Sequence, residues 1–144
     1  MDQGQGRLML IEPVEIIDVA VVGAGFAGML AAYNMRKAGH SIQGFEKGSD
    51  VGGTWFWNRY PGLRCDVESV EYSYSWDEEL QQDWTWTERY SAQPEILKYA
   101  QHVADRFNLR ELFAFNTKVV SAVFDDVHNL WTITTDTGEI HTAR

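Results

Sequence analysis

The glycine-rich turn at residues 23–28 is the sequence feature that most directly indicates a ligand-binding site. It matches G-x-G-x-x-G, with glycines at Gly23, Gly25 and Gly28. Alone the pattern is weak, but here it follows an apolar, β-branched run and opens a helical pattern. Gly23 permits a tight turn, Gly25 lets a pyrophosphate approach the backbone, and Gly28 lets the helix pack close to the strand. The N–H groups that open the helix then face an anion, so the turn predicts a dinucleotide site.

Glu46 is the acidic residue that completes this pattern. It ends the second apolar run, 21 residues after Gly25. At that spacing a carboxylate accepts hydrogen bonds from the adenosine ribose and disfavours a 2′-phosphate. The site should therefore take FAD or NAD rather than NADP. A glycine turn beside an unrelated surface glutamate is the less favoured reading, because strand, glycines, helix and acid stand in register.

Two later stretches carry a resemblance to a known family. Residues 52–69 read GGTWFWNRYPGLRCDVES, and residues 84–97 read WTWTERYSAQPEIL. Both strongly resemble Baeyer–Villiger flavin monooxygenases of type I, over roughly residues 16–144. The resemblance implies an enzyme that uses FAD, NADPH and O2 to convert a ketone to an ester or lactone, with a flavin peroxide attacking the carbonyl.

The resemblance leaves two alternative functions open and implies a second nucleotide-binding segment. An N- or S-oxygenating flavin monooxygenase is the runner-up, and a non-catalytic FAD-binding module is the alternative of another class. No second glycine fingerprint for NADPH occurs in the sequence. We therefore expect an N-terminal fragment or a truncated reading frame that is inactive by itself.

The resemblance also implies roles for individual residues. Asp66 would lie at the reactive face of the flavin, where it would hold a catalytic arginine from outside this chain and contact the nicotinamide of NADPH, helped by Arg64 and Cys65. Tyr72 would border the flavin, and the backbone of Val119 would meet the adenine. Along the flavin side of FAD would lie Gly53, Thr54, Trp55, Phe56 and Trp57, and Ala27 would be a further cofactor-binding position. Phe56 stands where the family often has Tyr, and Ala27 stands where some members have Ser.

The residues by themselves leave several of these roles open. Trp55 and Trp57 could stack on a planar ring or be ordinary core aromatics. Asp66 could form a plain surface ion pair with Arg64 or position a cation. Cys65 is more often a small buried hydrophobe than a reactive thiol. The four histidines show no metal-ligand spacing, so no metal is predicted.

The elements that must position these residues form an α/β pattern. We predict strands at residues 16–22 and 41–46 around a helix at 26–37, the first strand being buried on both faces. An irregular aromatic stretch at 48–75 and a helix from about Pro94 to Phe107 follow. Alternating runs at 118–124 and 130–135, with 139–144, predict a three-stranded β-meander. The fold class is an incomplete Rossmann-like FAD-binding domain at residues 16–144, after a flexible leader at 1–15.

Composition narrows the classes of partner. The chain has 144 residues and a formal net charge of -9, which disfavours nucleic acid and anionic membrane surfaces as partners. A single cysteine, Cys65, fits a reducing compartment. No signal peptide or membrane-spanning segment is recognisable, so a cytoplasmic location is predicted.

Overall fold

The computed structural model describes residues 15–144. The leader predicted for residues 1–15 therefore lies outside the described residues, except for Glu15. Within this part of the chain, no helix is long and apolar enough to span a membrane.

A three-stranded parallel sheet carries the glycine turn. Its strands lie in the order β2-β3-β4, and helix α1 connects the first two. The bounds are β2 Val19–Val22, α1 Phe26–Lys37, β3 Ile42–Phe45 and β4 Phe113–Ala114. β2 and β3 pair in parallel from Val19↔Ile42 to Val22↔Phe45, which confirms the predicted βαβ unit. The short strand β4 was not predicted, since two residues show no alternation.

The second sheet contains the predicted meander. Its strand order is β1-β7-β6-β5, with antiparallel pairing among the last three and β1 parallel to β7. The bounds are β1 Ile16–Ile17, β5 Val119–Asp125, β6 Leu130–Thr135 and β7 Ile140–Ala143. The three-stranded meander is thus confirmed, and a fourth strand joins it.

The prediction of one continuous strand at residues 16–22, buried on both faces, is wrong. The run divides at Asp18, and its two halves enter different sheets. The Asp18 carboxylate accepts hydrogen bonds from the Ser41 amide at 2.9 Å and the Ser41 hydroxyl at 3.0 Å. Val22, at the end of β2, is 64% exposed. Hydrophobic residue type alone did not reveal the break, because both halves are apolar.

Three further α-helices lie between β3 and β4 in sequence: α2 Thr54–Trp57, α3 Glu78–Asp83 and α4 Gln93–Arg106. α4 confirms the predicted helix, with Pro94 in its first turn and a buried face spaced as a helix requires. α3 was not predicted. The sequence feature that could have predicted α3 is Asp77. Its side chain accepts a hydrogen bond from the Leu80 amide at 2.7 Å and caps the helix.

Most of the aromatic residues belong to the core. Phe26 contacts the rings of Tyr72, Tyr74 and Tyr99 at centroid distances of 5.2, 5.2 and 6.1 Å. Burial raises the pKa of Tyr74, whose hydroxyl donates to the Phe26 carbonyl at 2.5 Å. These rings fix helix α1 and the irregular stretch against each other. A separate small cluster, centred on Phe45, Ile133 and Ala143, joins the two sheets.

Candidate functional site

The glycine turn has the geometry that its sequence predicts. Gly23 has φ +94°, a conformation that L side chains rarely adopt, and its amide donates to the Phe45 carbonyl at 2.7 Å. A Cβ on Gly28 would lie 1.9 Å from the Gly23 oxygen and 3.4 Å from a methyl of Val21. The close approach of helix α1 to strand β2 therefore requires glycine at position 28, as predicted.

The turn also touches the aromatic stretch, which local sequence patterns did not reveal. A Cβ on Gly53 would lie 2.8 Å from the Gly25 Cα, and Gly53 has φ +55°. The amide of Gly52 donates to the Ala24 carbonyl at 2.9 Å. Gly25 thus serves backbone packing as well as any ligand, and these two contacts bring the openings of α1 and α2 together.

The Glu46 carboxylate braces this turn. The side chain is buried, and its two oxygens accept hydrogen bonds from the amides of Ala24 and Gly48, each at 2.7 Å. Bonds to an ionised acceptor are the stronger class. Each oxygen has a second lone-pair site, so it can also accept the predicted hydrogen bond from a ribose hydroxyl.

A pocket of about 240 Å³ opens beside Glu46. It lies where strands β2 and β3 end, the edge at which open α/β sheets bind ligands. Its lining includes Gly23, Glu46, Lys47, Trp57, Thr117 and Val119. The structure therefore brings the glycine turn, the acidic residue, the aromatic stretch and the first meander strand to one site. Lys47 and Thr117 were not identified from the sequence.

The two tryptophans of α2 have different environments. Trp55 is only 6% exposed; its indole N–H donates to the Tyr72 hydroxyl at 3.0 Å, and its carbonyl accepts from the Gln93 amide group at 2.6 Å. It packs in a cluster with the buried, unpaired Cys65. Trp57 is 50% exposed and lines the pocket. Trp55 is thus buried among core residues, whereas Trp57 is exposed at the pocket.

Asp66 does not pair with Arg64. The Arg64 guanidinium donates to the Glu88 carboxylate at 2.5 Å and to the Tyr90 carbonyl at 3.0 Å. The Asp66 side chain is exposed and has no hydrogen bond or ion pair within residues 15–144. The suggested Arg64–Asp66 surface ion pair is therefore wrong, because Arg64 turns toward a residue 24 positions away.

The segment that carries Asp66 is held by a buried polar contact. The hydroxyls of Ser69 and Ser91 are 2.7 Å apart, and both residues are buried. The Cys65 amide donates to the Ser91 carbonyl at 3.0 Å, and the Gln93 amide donates to the Leu63 carbonyl at 2.9 Å. Sequence reasoning missed this role of Ser69 and Ser91, which are 22 residues apart.

The remaining predicted positions lie around these features. Ala27 is exposed in the first turn of α1. The Thr54 hydroxyl accepts from the Asn58 side chain at 2.9 Å. The Arg59 guanidinium lies over the Phe56 ring, 5.2 Å from the ring centroid.

Comparison with known proteins finds one matching domain family and similar monooxygenases. Residues 21–81 match the NAD(P)-binding Rossmann-like domain. A phenazine N-monooxygenase of Lysobacter antibioticus is 48% identical over 88% of this chain and 24% of its own length. A Baeyer–Villiger monooxygenase of Pseudooceanicola batsensis is 47% identical, with the same coverage of 88% and 24%.

Solved structures show the same relationship. A steroid monooxygenase bound to NADP is similar with a TM-score of 0.87 and 53% identity, over 90% of this chain and 25% of that one. The cyclohexanone monooxygenase of Rhodococcus sp. Phi1 bound to NADP+ has a TM-score of 0.86 and 46% identity, with coverage of 90% and 25%. The chain spans about a quarter of the length of these relatives.

Proposed function

We propose, from the now confirmed relationship of this chain to the Baeyer–Villiger flavin monooxygenases, that it forms the site for the ADP half of FAD. The complete protein would be an NADPH- and O2-dependent enzyme that converts ketones to esters or lactones. The observation that carries the proposal is the pocket at the ends of β2 and β3. It unites Gly23, Glu46 and Val119, which lie far apart in the sequence.

The residues of the pocket fit such a cofactor. The amides that open the 12-residue helix α1 provide donors and a positive dipole end for a pyrophosphate. Glu46 holds the turn in place and offers further acceptor sites to a ribose hydroxyl. Val119 provides apolar surface for the adenine. Bound FAD would supply the oxygen-activating chemistry, which no side chain of this segment provides.

Asp66 is the proposed catalytic residue. Its carboxylate is exposed and has no partner in residues 15–144, while the buried Ser69–Ser91 contact fixes the segment that carries it. It would orient an arginine supplied by another part of the complete protein. Such a preorganised cation stabilises negative charge that develops during a reaction. The cytoplasmic location remains a prediction, which the single cysteine supports.

FAD titration of the purified chain tests the cofactor site. Binding is followed by quenching of flavin fluorescence and by displacement with ADP. The blocking variant is Val22→Trp, since Val22 lines the pocket and is 64% exposed, so the larger ring does not enter the core. Its matched control is Val123→Trp, at a strand position that is 60% exposed and outside the pocket.

The expected result is a loss of FAD affinity of at least about tenfold, or about 1.4 kcal/mol, in Val22→Trp and no loss in Val123→Trp. No binding by the unsubstituted chain, or equal binding by both variants, would refute the proposed site.

N-oxygenation is the second candidate activity. It is favoured by the 48% identity to a phenazine N-monooxygenase. Mass spectrometry of the products formed from a ketone and from a phenazine, by a protein that carries this segment at full family length, separates the two activities. Ester from the ketone supports the first, and an N-oxide alone supports the second.

A further inference from the structure

The wall of the pocket formed by Lys47 and Trp57 carries an inference about ligand choice. Lys47 directly follows Glu46, and Trp57 ends helix α2. The Lys47 ammonium lies over the indole of Trp57, 4.8 Å from the ring centroid. This distance is within the range of a cation–π interaction.

The position of the Trp57 ring is set by its neighbours. A Cβ on Gly48 would lie 3.0 Å from the Trp57 ring and 2.9 Å from the Phe56 ring. Both rings therefore pack against backbone that lacks a side chain. Because the indole is held there, the Lys47 ammonium that it attracts is also kept at the pocket.

The charges of the pocket favour an anion. Its ionisable lining residues are Glu46, Lys47 and Lys118. The Glu46 carboxylate is already engaged by two backbone amides, whereas neither lysine has a carboxylate within ion-pair distance in residues 15–144. The Lys47 ammonium at the pocket wall, with Lys118 among the other lining residues, concentrates positive potential at this site in a chain of net charge -9.

We propose that Lys47, held by Trp57, is a binding residue that makes the pocket select phosphate-bearing adenine nucleotides over uncharged adenosine. The proposal rests on the proposed nucleotide site and adds a specificity determinant to it. The ammonium contributes Coulomb attraction to the phosphates, while the adenine and ribose make their contacts elsewhere in the pocket. The contribution should therefore depend on ligand charge and on ionic strength.

The test compares two probes, ADP and adenosine, by calorimetric titration of the chain. Lys47→Gln removes the charge, and Lys47→Arg restores it. The matched control is Lys37→Gln, because the Lys37 ammonium also lies over a ring, 5.8 Å from the centroid of Tyr33, but outside the pocket. Thermal unfolding of each variant establishes that the chains compared are folded.

Lys47→Gln is expected to bind ADP about fivefold more weakly, the upper range for an exposed charge pair. Its adenosine affinity should equal that of the unsubstituted chain, and added salt should reduce the difference for ADP. Lys47→Arg and Lys37→Gln should both retain ADP affinity.

The outcomes separate this inference from the proposed function. If the unsubstituted chain binds ADP and Lys47→Gln binds it equally well, the role of Lys47 is refuted while the site stands. Equal weakening of ADP and adenosine would also refute it, since the lysine would then act through the shape of the pocket. If the unsubstituted chain binds neither probe, the proposed nucleotide site itself fails.

Discussion

Replacement of Glu46 should destabilise the fold even when no nucleotide is present. Its two oxygens accept buried hydrogen bonds from the amides of Ala24 and Gly48, each at 2.7 Å. A hydrogen bond to a charged group contributes about 1.5–3 kcal/mol, and an unsatisfied buried donor costs about 1–3 kcal/mol. Glu46→Ala leaves both donors without that acceptor. Because the two bonds share one side chain, we expect a combined loss of about 3 kcal/mol rather than a full sum.

The measurement is chemical denaturation of the chain without ligand, followed by tryptophan fluorescence. A loss of about 3 kcal/mol should appear as a lower midpoint at an unchanged denaturant dependence. Glu46→Gln keeps one acceptor oxygen but places an amide donor near the second backbone N–H. It should therefore recover less than half of the loss.

Glu111→Ala is the matched control. The Glu111 carboxylate is 66% exposed and pairs with the Arg36 guanidinium at 3.2 Å. Exposed pairs of this kind contribute about 0–1 kcal/mol. If Glu46→Ala also lost less than about 1 kcal/mol, the bracing role would be wrong, and any loss of FAD affinity in that variant would then report on the ligand alone.

Three further predictions test other parts of the molecule. Gly28→Ala should abolish cooperative unfolding, because its Cβ would lie 1.9 Å from a backbone oxygen, whereas Gly62→Ala, with φ +81° and no atom within 4 Å, should cost only about 1–2 kcal/mol. Partial burial tends to raise the pKa of Asp50, but hydrogen bonds, including one from Arg110, lower it by more, so the net pKa is below its usual value. The ionised Asp50 therefore stabilises the fold above about pH 4, and this stabilisation is lost as the pH falls further. Asp50→Asn should make the denaturation midpoint less dependent on pH in the acid range. Asp66→Ala, in a protein of full family length, should keep its absorbance-quantified flavin but form ester about 10²–10³-fold more slowly; an unchanged rate would make Asp66 structural.

Features with strictly local causes were predictable from the sequence. The glycine turn depends on which backbone conformations lack a Cβ clash, and Gly23 and Gly28 meet that demand within a few residues. The meander followed from alternating side chains, and α4 from helical spacing and Pro94. The family followed from contiguous strings of residues rather than from any physical pattern.

Sequence reasoning was wrong or silent where the answer lies in a distant residue. Arg64 pairs with Glu88 and not with nearby Asp66, and Ile16–Ile17 joins β7 rather than continuing β2. Such pairings depend on which chain segments pack together, and local periodicity carries no information about that choice.

By itself, therefore, the sequence determined a glycine turn in a βαβ unit, an acidic residue at the end of the second strand and a terminal meander. Only the tertiary structure decided that Trp55 is a core ring while Trp57 faces the pocket, since both occur in the same short helix. It also decided that Glu46 is occupied by backbone amides and that Lys47 lies over Trp57. The physical reason is that burial and charge pairing arise from the meeting of separate elements, which residue types along one element cannot specify.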